Sequence, residues 1–386
     1  MSRNILSLDF YGRSVTAALA ALDEETAALR LRHVLKRPMK SFSCAFVRNM
    51  DAARQELSSV FAEISEYVSA DLTVVVGLRG AFLSFKHTNG FHTITSRNRI
   101  VGTKEIDAAI EASIPPNLSE TLDVVDILPQ CYAIDGNLNI ENPKGMAGFT
   151  LGAETFLSFG LVTHLDNLNN ILASCGCNTY QMIPTSVALG ETLLRYDEKQ
   201  AGVLLVDIGM DNSSALLTHQ GSIVDAWELS AGKNDAAQAV ADILQNDIET
   251  AREVLAGYEP GTDDIMDEVL EDAAEKLLQN IKKELYQSLS FLKYQPPQLV
   301  LCGEAADKSL LKSAKKIFNV RKARLAQFDD VIADCPAEQS VYTGAVALLR
   351  HALDREQKHL GVAQAKEEGL LDGLLDKLGL SELFNG

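Results

Sequence analysis

Two aspartates are the first candidates for chemistry. Asp9 lies near the end of a strand-like run over residues 3–10. Asp207 ends the run Val203-Leu-Leu-Val-Asp207, about 200 positions later. Each is followed by a turn that contains glycine, Gly12 in the first and Gly209 in the second, and each turn leads into another strand-like run, residues 14–22 and 214–218. A carboxylate at a strand end commonly accepts backbone N–H bonds, and in a repeated setting it can serve a shared ligand. Other catalytic chemistry finds little support. The seven histidines are scattered, and neither His-Glu-x-x-His nor a nucleophile elbow occurs. Of six cysteines, Cys175 and Cys177 form the sole close pair, without a second pair or a His cluster to complete a zinc site.

The elements that must position the two aspartates repeat. The first copy reads strand, hairpin, helix (50–68, apolar at Ala53, Leu57, Val60, Phe61, Ile64 and Val68) and buried strand (72–76). The second copy starts at Gly202, with a turn at Gln220-Gly221, helices over 235–257 and 264–294, the strand 298–302, and a helix running to Phe318. Two strand-Asp-turn-strand units predict an α/β protein with a duplicated ribonuclease-H-like fold, two-lobed, with a nucleotide cleft between the copies. A different texture interrupts the first copy: alternating Phe82-Leu-Ser-Phe85, a helix over 104–112 and short strands over 128–140 and 148–159. This reads as an inserted small α+β domain. The expected boundaries are 1–81 for the first lobe, 82–164 for the insertion, 165–200 for the first lobe resumed, 201–232 for the second lobe, 233–297 for its helical subdomain, 298–335 for the second lobe resumed, 336–362 for a closing helix of the first lobe, and 363–386 for an amphipathic tail.

Length and composition agree with this organisation. A chain of 386 residues exceeds what one core organises, and 46% hydrophobic with 23% charged residues is globular composition. A formal net charge of −18 with no strong basic patch argues against nucleic acid as a partner. No signal peptide or uninterrupted apolar span is visible, and free thiols fit the cytoplasm.

The insertion contains Leu128-Pro129, Tyr132 and Ile134-Asp135-Gly136, then Asn142-Pro143-Lys144-Gly145-Met146-Ala147-Gly148 and Leu151. This resembles the Asp-Gly…Asn-Pro-x-Gly-Met-x-Gly signature of the FtsA cell-division family, within the actin and Hsp70 superfamily. Read from the residues alone, the stretch is a structural loop: Asn142-Pro143 favours extended backbone, and Gly145 and Gly148 permit left-handed turns. The resemblance continues through Asp197 to Gly202, Val206 to Gly209 and Leu299 to Gly303. It implies a cytoplasmic, ATP-binding, self-associating actin-like protein that grips the tubulin-like FtsZ, or another divisome protein, and ties it to the inner face of the plasma membrane. It also implies nucleotide contacts at Asp9, Gly12, Ser14, Asp207, Gly209, Asn212, Ser213, Gly232 and Gly303, with Mg²⁺ held through water by Asp9 and Asp207.

The sequence departs from that family at the same loops. Tyr11 stands where the first phosphate loop needs glycine, and the second loop reads Asp207-Ile-Gly209-Met210-Asp211-Asn212-Ser213 in place of a glycine run. Later glycine pairs have become Ala231-Gly232 and Gly303-Glu304, and a ribose-side Glu-x-x-Lys pair has become Arg252 and Leu255. Asp211 and Glu304 beside a triphosphate would repel it, each like-charge pair at ~4 Å costing about 4 kcal/mol at an effective dielectric of 20. These losses predict a pseudo-ATPase or a weak ATPase at most.

Residues 258–264 read as a plain connector in a short helical lobe. That shortness is similar to PilM, a pilus-scaffold relative of FtsA, so a pilus or secretion scaffold is one alternative function and an active filament-forming ATPase is another. The tail places Leu370, Leu371, Leu374, Leu375, Leu378 and Phe384 on an amphipathic stripe, against a polar face with Glu367, Glu368, Asp372, Asp376 and Glu382. Membrane contact and docking on protein both stay open for it.

Overall fold

The computed structural model describes residues 4–22, 29–68, 72–177, 180–257, 261–326, 328, 331–333 and 339–363. The tail and its leucine stripe lie outside the described residues. The chain divides into two compact units: residues 1–192, 330–337 and 344–386 form the first, and residues 193–329 and 338–343 form the second.

The first unit opens with β1 (Asn4–Tyr11), β2 (Ser14–Leu22), β3 (Leu29–Pro38) and the short pair β4 (Phe42–Ser43) and β5 (Phe46–Val47). Helix α1 (Met50–Ser65) follows, capped by the Asn49 side chain, which accepts from the Ala52 N–H. Then comes β6 (Leu72–Leu78). The inserted domain comprises β7 (Leu83–Thr93), α2 (Thr103–Glu111), β8 (Leu122–Ile134), β9 (Asn137–Ile140) and β10 (Thr150–Leu161), with sheet order β7-β10-β8-β9. Helix α3 (Val162–Ser174), β11 (Tyr180–Pro184) and α4 (Thr185–Leu193) return the chain to the main sheet.

The second unit contains α5 (Tyr196–Ala201), β12 (Val203–Ile208), β13 (Ser213–His219), β14 (Ser222–Leu229), α6 (Asn234–Leu244), α7 (Ile248–Gly257), α8 (Asp264–Leu285), α9 (Leu289–Lys293), β15 (Gln298–Cys302), α10 (Lys308–Ile317) and β16 (Lys322–Leu325). The chain re-enters the first unit as β17 (Ile332–Ala333), and α11 (Gln339–Ala363) belongs to the second unit up to Thr343 and to the first from Gly344 on.

The two main sheets share one design. In the order β11-β6-β1-β2-β3-β17, β1 pairs antiparallel with β2 and parallel with β6; in β14-β13-β12-β15-β16, β12 pairs antiparallel with β13 and parallel with β15. This is the duplicated ribonuclease-H-like fold with its small α+β insertion. The central strands are buried on both faces, with Leu6, Leu8 and Phe10 on one side of β1 and the polar Ser7 and Asp9 on the other. Leu6, Leu8 and Phe10 pack with Ala53, Leu57, Val60 and Ile64 of α1 and Leu168, Ile171 and Leu172 of α3 in one core; Leu204, Val206 and Ile208 pack with Leu277, Leu278 and Ile281 of α8 in the other.

Two expected helices are broken. The span 235–257 divides where Gln245 turns left-handed at φ 50°, and the span 264–294 divides after Leu285, where Ser288 starts α9 in extended geometry. The short strands expected over 128–140 are β8 and β9, turned at Asp135-Gly136 with φ of 49° and 84°, and β8 starts six residues earlier, at Leu122.

Candidate functional site

In the first unit, Asp9 sits at the centre of the sheet, opposite Thr16 on β2 and Gly77 on β6. Its side chain is buried, and both oxygens are engaged. Arg79 Nε donates to Oδ1 at 2.8 Å and Arg79 Nη2 donates to Oδ2 at 3.0 Å, a two-point ion pair with a guanidinium side chain that is 1% exposed. Thr185 Oγ1, at the start of α4, donates to Oδ1 at 3.0 Å. The ring of Tyr11 covers the guanidinium, with Arg79 Cζ 3.9 Å from its centroid, a cation–π contact.

Two glycines make this packing possible. A Cβ on Gly77 would lie 2.5 Å from Leu348 Cδ1 and 2.6 Å from Thr185 Oγ1. One on Gly344 would collide with Asp9 Oδ2 and lie 2.6 Å from Arg79 Nη2. A glycine inside a helix costs about 1 kcal/mol relative to alanine, and here α11 gains close approach to the pair in return. The neighbouring turn closes on itself: Gly12 adopts φ 56°, Ser14 Oγ donates to the Tyr11 carbonyl at 3.0 Å, and the Gly12 carbonyl accepts from Cys44 N–H.

In the second unit, Asp207 occupies the matching position on β12, buried beside Gly303, where any Cβ would meet Asp207 Oδ1. Four backbone amides, Gly209 of the turn after β12 and three of the 233–235 segment beside it, bond within the chain. Gly209 N–H donates to the Asn212 carbonyl at 3.1 Å, Lys233 N–H to Gly209 at 2.9 Å, Asn234 N–H to Met210 at 2.7 Å, and Asp235 N–H to Gly232 at 3.0 Å. Ser213 Oγ donates to the Ala231 carbonyl at 2.7 Å, and Asn234 Nδ2 donates to Asp211 Oδ1 at 2.6 Å. Gly232 approaches the 210–212 backbone so closely that its Cβ would lie 2.5 Å from Asp211 C. Among the described residues, Asn212 Oδ1 is buried with no partner.

The charge of this region is acidic. Burial raises the Asp235 carboxyl above its ordinary range; the Gly232 N–H opposes that, and the Asp211 and Glu284 charges add to it. Register exposes an asymmetry between the copies: two residues past the strand partner of Asp9 stands Arg79, and two past the partner of Asp207, Cys302, stands Glu304. Among the described residues, no three His, Cys, Asp or Glu side chains gather where they could hold a metal ion. The side chains of Arg252 and Leu255 lie outside what is described.

In the inserted domain, the Asp-Gly and Asn-Pro-x-Gly segments meet. Asp135 carboxylate oxygens accept from Phe149 N–H and Thr150 N–H at 2.9 and 2.8 Å and from Thr150 Oγ1 at 3.1 Å. Asn142 Oδ1 accepts from Lys144 N–H at 3.1 Å, Gly145 N–H donates to Val101 at 2.9 Å, and Val101 N–H returns to Met146 at 2.8 Å. This is a buckle of backbone amides tied by the Asp135 and Asn142 side chains.

Sequence reasoning misses Arg79, Thr185 and Gly344. The one visible signal is an arginine directly after Val74-Val-Val-Gly-Leu78, where a charge has no place unless a partner is buried with it.

Residues 80–158 match the model of the SHS2 domain inserted in FtsA. Among curated proteins, the chain is 24% identical over 257 residues to the cell division protein FtsA of Neisseria meningitidis serogroup B, covering 66% of this chain and 61% of that one. It is 24% identical over 218 residues to FtsA of Bacillus subtilis, covering 56% and 50%. The matched stretches thus span half to three fifths of these relatives' lengths. Among solved structures, the chain superposes on one titled PilM-PilN type IV pilus biogenesis complex with a TM-score of 0.65 at 17% identity, covering 92% of this chain and 99% of that chain.

Proposed function

We propose that this FtsA-like chain is a pseudo-ATPase adaptor of bacterial cell division, working at the inner face of the plasma membrane, where it joins a divisome protein of the FtsZ type to that surface. The FtsA-type SHS2 domain over residues 80–158 is the observation that carries the assignment to division. The loss of turnover is supported by the two loops. A phosphate loop works by aiming free N–H groups at the ligand. Here the amides of Gly209, Lys233, Asn234 and Asp235 donate to the chain's own carbonyls, and the Asp211 and Asp235 carboxylates stand beside them. The residues therefore do not fit Mg-ATP, and function falls to surfaces.

Calorimetric titration of the purified chain with Mg-ATP, alongside co-sedimentation with polymers of the cognate FtsZ, tests the reading. Retention on the polymer with no heat at millimolar Mg-ATP is expected. Micromolar binding would sink the pseudo-ATPase and restore a nucleotide-switched filament. A second reading, a cytoplasmic scaffold for a pilus or secretion system, is favoured by the PilM superposition over nearly the whole chain. Capture of a pilus inner-membrane protein, with no FtsZ retained, would select it.

A further inference from the structure

We infer that Arg79 is a built-in cation: its guanidinium holds the Asp9 carboxylate in the place an exchangeable metal would need, so the first unit completes its charge balance without any ligand. The inference deepens the pseudo-ATPase reading and rests on it for its functional meaning, but the geometry is independent of any partner. A carboxylate can serve a divalent cation through its two oxygens. On Asp9 one oxygen accepts Arg79 Nε and Thr185 Oγ1, and the other accepts Arg79 Nη2. No lone pair faces open solvent, since the side chains of Asp9 and Arg79 are 5% and 1% exposed.

The surroundings are built for the guanidinium. It is planar and stacks, which an ammonium or a hydrated metal does not. Tyr11 supplies the face it stacks on, in the position where a phosphate loop would carry glycine, so that departure is explained as a lid over the cation. Gly344 leaves room at Nη2, and Gly77 leaves room at Thr185. Four residues from four separate elements thus converge on one charge pair, and substituting any of them with a generic side chain would expose or crowd it.

Breaking a buried pair from one side leaves a stranded charge, and that gives the test. Thermal melting of the full chain is followed with MgCl2 or EDTA as the sole additive. The wild-type midpoint should not move with either. Arg79→Gln should melt roughly 10 °C lower, and millimolar MgCl2 should recover part of that loss, because the metal then has a carboxylate to hold. The double variant Asp9→Asn, Arg79→Gln should regain most of the lost stability and ignore MgCl2; if Arg79→Gln alone does not accumulate folded, this recovery decides the matter.

A wild-type midpoint raised by MgCl2 alone would overturn the inference, as would an Arg79→Gln protein as stable as wild type or indifferent to MgCl2. A double variant that stays unfolded would overturn it too. Failure of the functional reading looks different: tight Mg-ATP binding by wild-type protein that ignores MgCl2 alone would end the pseudo-ATPase and leave Arg79 in its role.

Discussion

At the scale of single residues, the hydrogen bonds around Asp135 set a measurable pH dependence. The Thr150 N–H, with Phe149 N–H and Thr150 Oγ1, holds its carboxyl below the ordinary carboxylate range, against a smaller opposing effect of burial. A depressed folded value means the contribution is present above the unfolded value and is lost as pH falls through the folded one. Asp135→Asn should therefore lower the melting temperature at neutral pH, and the gap to wild type should close on acidification. Ser213 is a plainer case. Its buried hydroxyl bonds the Ala231 carbonyl, so Ser213→Ala should cost about 1 kcal/mol in a denaturant titration. Glu198 combines both effects: burial opposes its ionisation, yet Arg324 at 2.6 and 2.7 Å and the Arg195 N–H outweigh it and keep its carboxyl low. Little of this is legible in sequence. Asp9 can be found as a strand-end carboxylate, but its partner lies 70 positions away and no local pattern connects them.

At the scale of elements, the inserted domain depends on how α2 crosses β7. A Cβ on Gly90 would strike the Ala109 carbonyl and lie 2.4 Å from Ser113 N, so β7 and α2 touch at that glycine. Gly90→Val should destabilise the domain by about 3 kcal/mol, at the upper end of ordinary overpacking, and limited proteolysis should then cut first within residues 80–158. The same helix carries Asp107, whose carboxyl burial pushes up to about 7. The folded form thus holds its proton where the unfolded chain, near an ordinary value of about 4, has released it. Stability on this account falls as pH rises between those values and is flat above; Asp107→Asn should remove the slope, read by denaturant midpoints across that window. Elements are the scale at which the sequence is most legible. Alternating and helical periods reveal the hairpins, α1, α3 and the insertion, because burial imposes those periods. The breaks at Gln245 and after Leu285 escape notice because the apolar spacing runs on through them, and a left-handed glutamine carries no glycine to mark it.

At the scale of the whole molecule, duplication is legible because each copy must build the same central strand with one antiparallel and one parallel neighbour. The asymmetry of Arg79 and Glu304 is not, since each stands two residues past the strand partner of its Asp, and that partnership exists only in the folded sheet. Net charge predicts behaviour directly: at −18 and physiological salt the chain should show no shift of duplex DNA in a mobility assay, because phosphate contacts require a basic surface.

The Asp9–Arg79 pair also constrains how such a protein can change over generations. Losing Arg79 strands an acid in the core and losing Asp9 strands a base, while bulk at Gly77 or Gly344 displaces both. The single step that makes the lobe metal-responsive, loss of Arg79, passes through a destabilised chain. Descendants and cousins of this chain should accordingly inherit the four positions as a block, and an alignment in which Arg79 appears without Asp9, or with a bulky residue at 344, would mark a lineage that has found another way to fill the space.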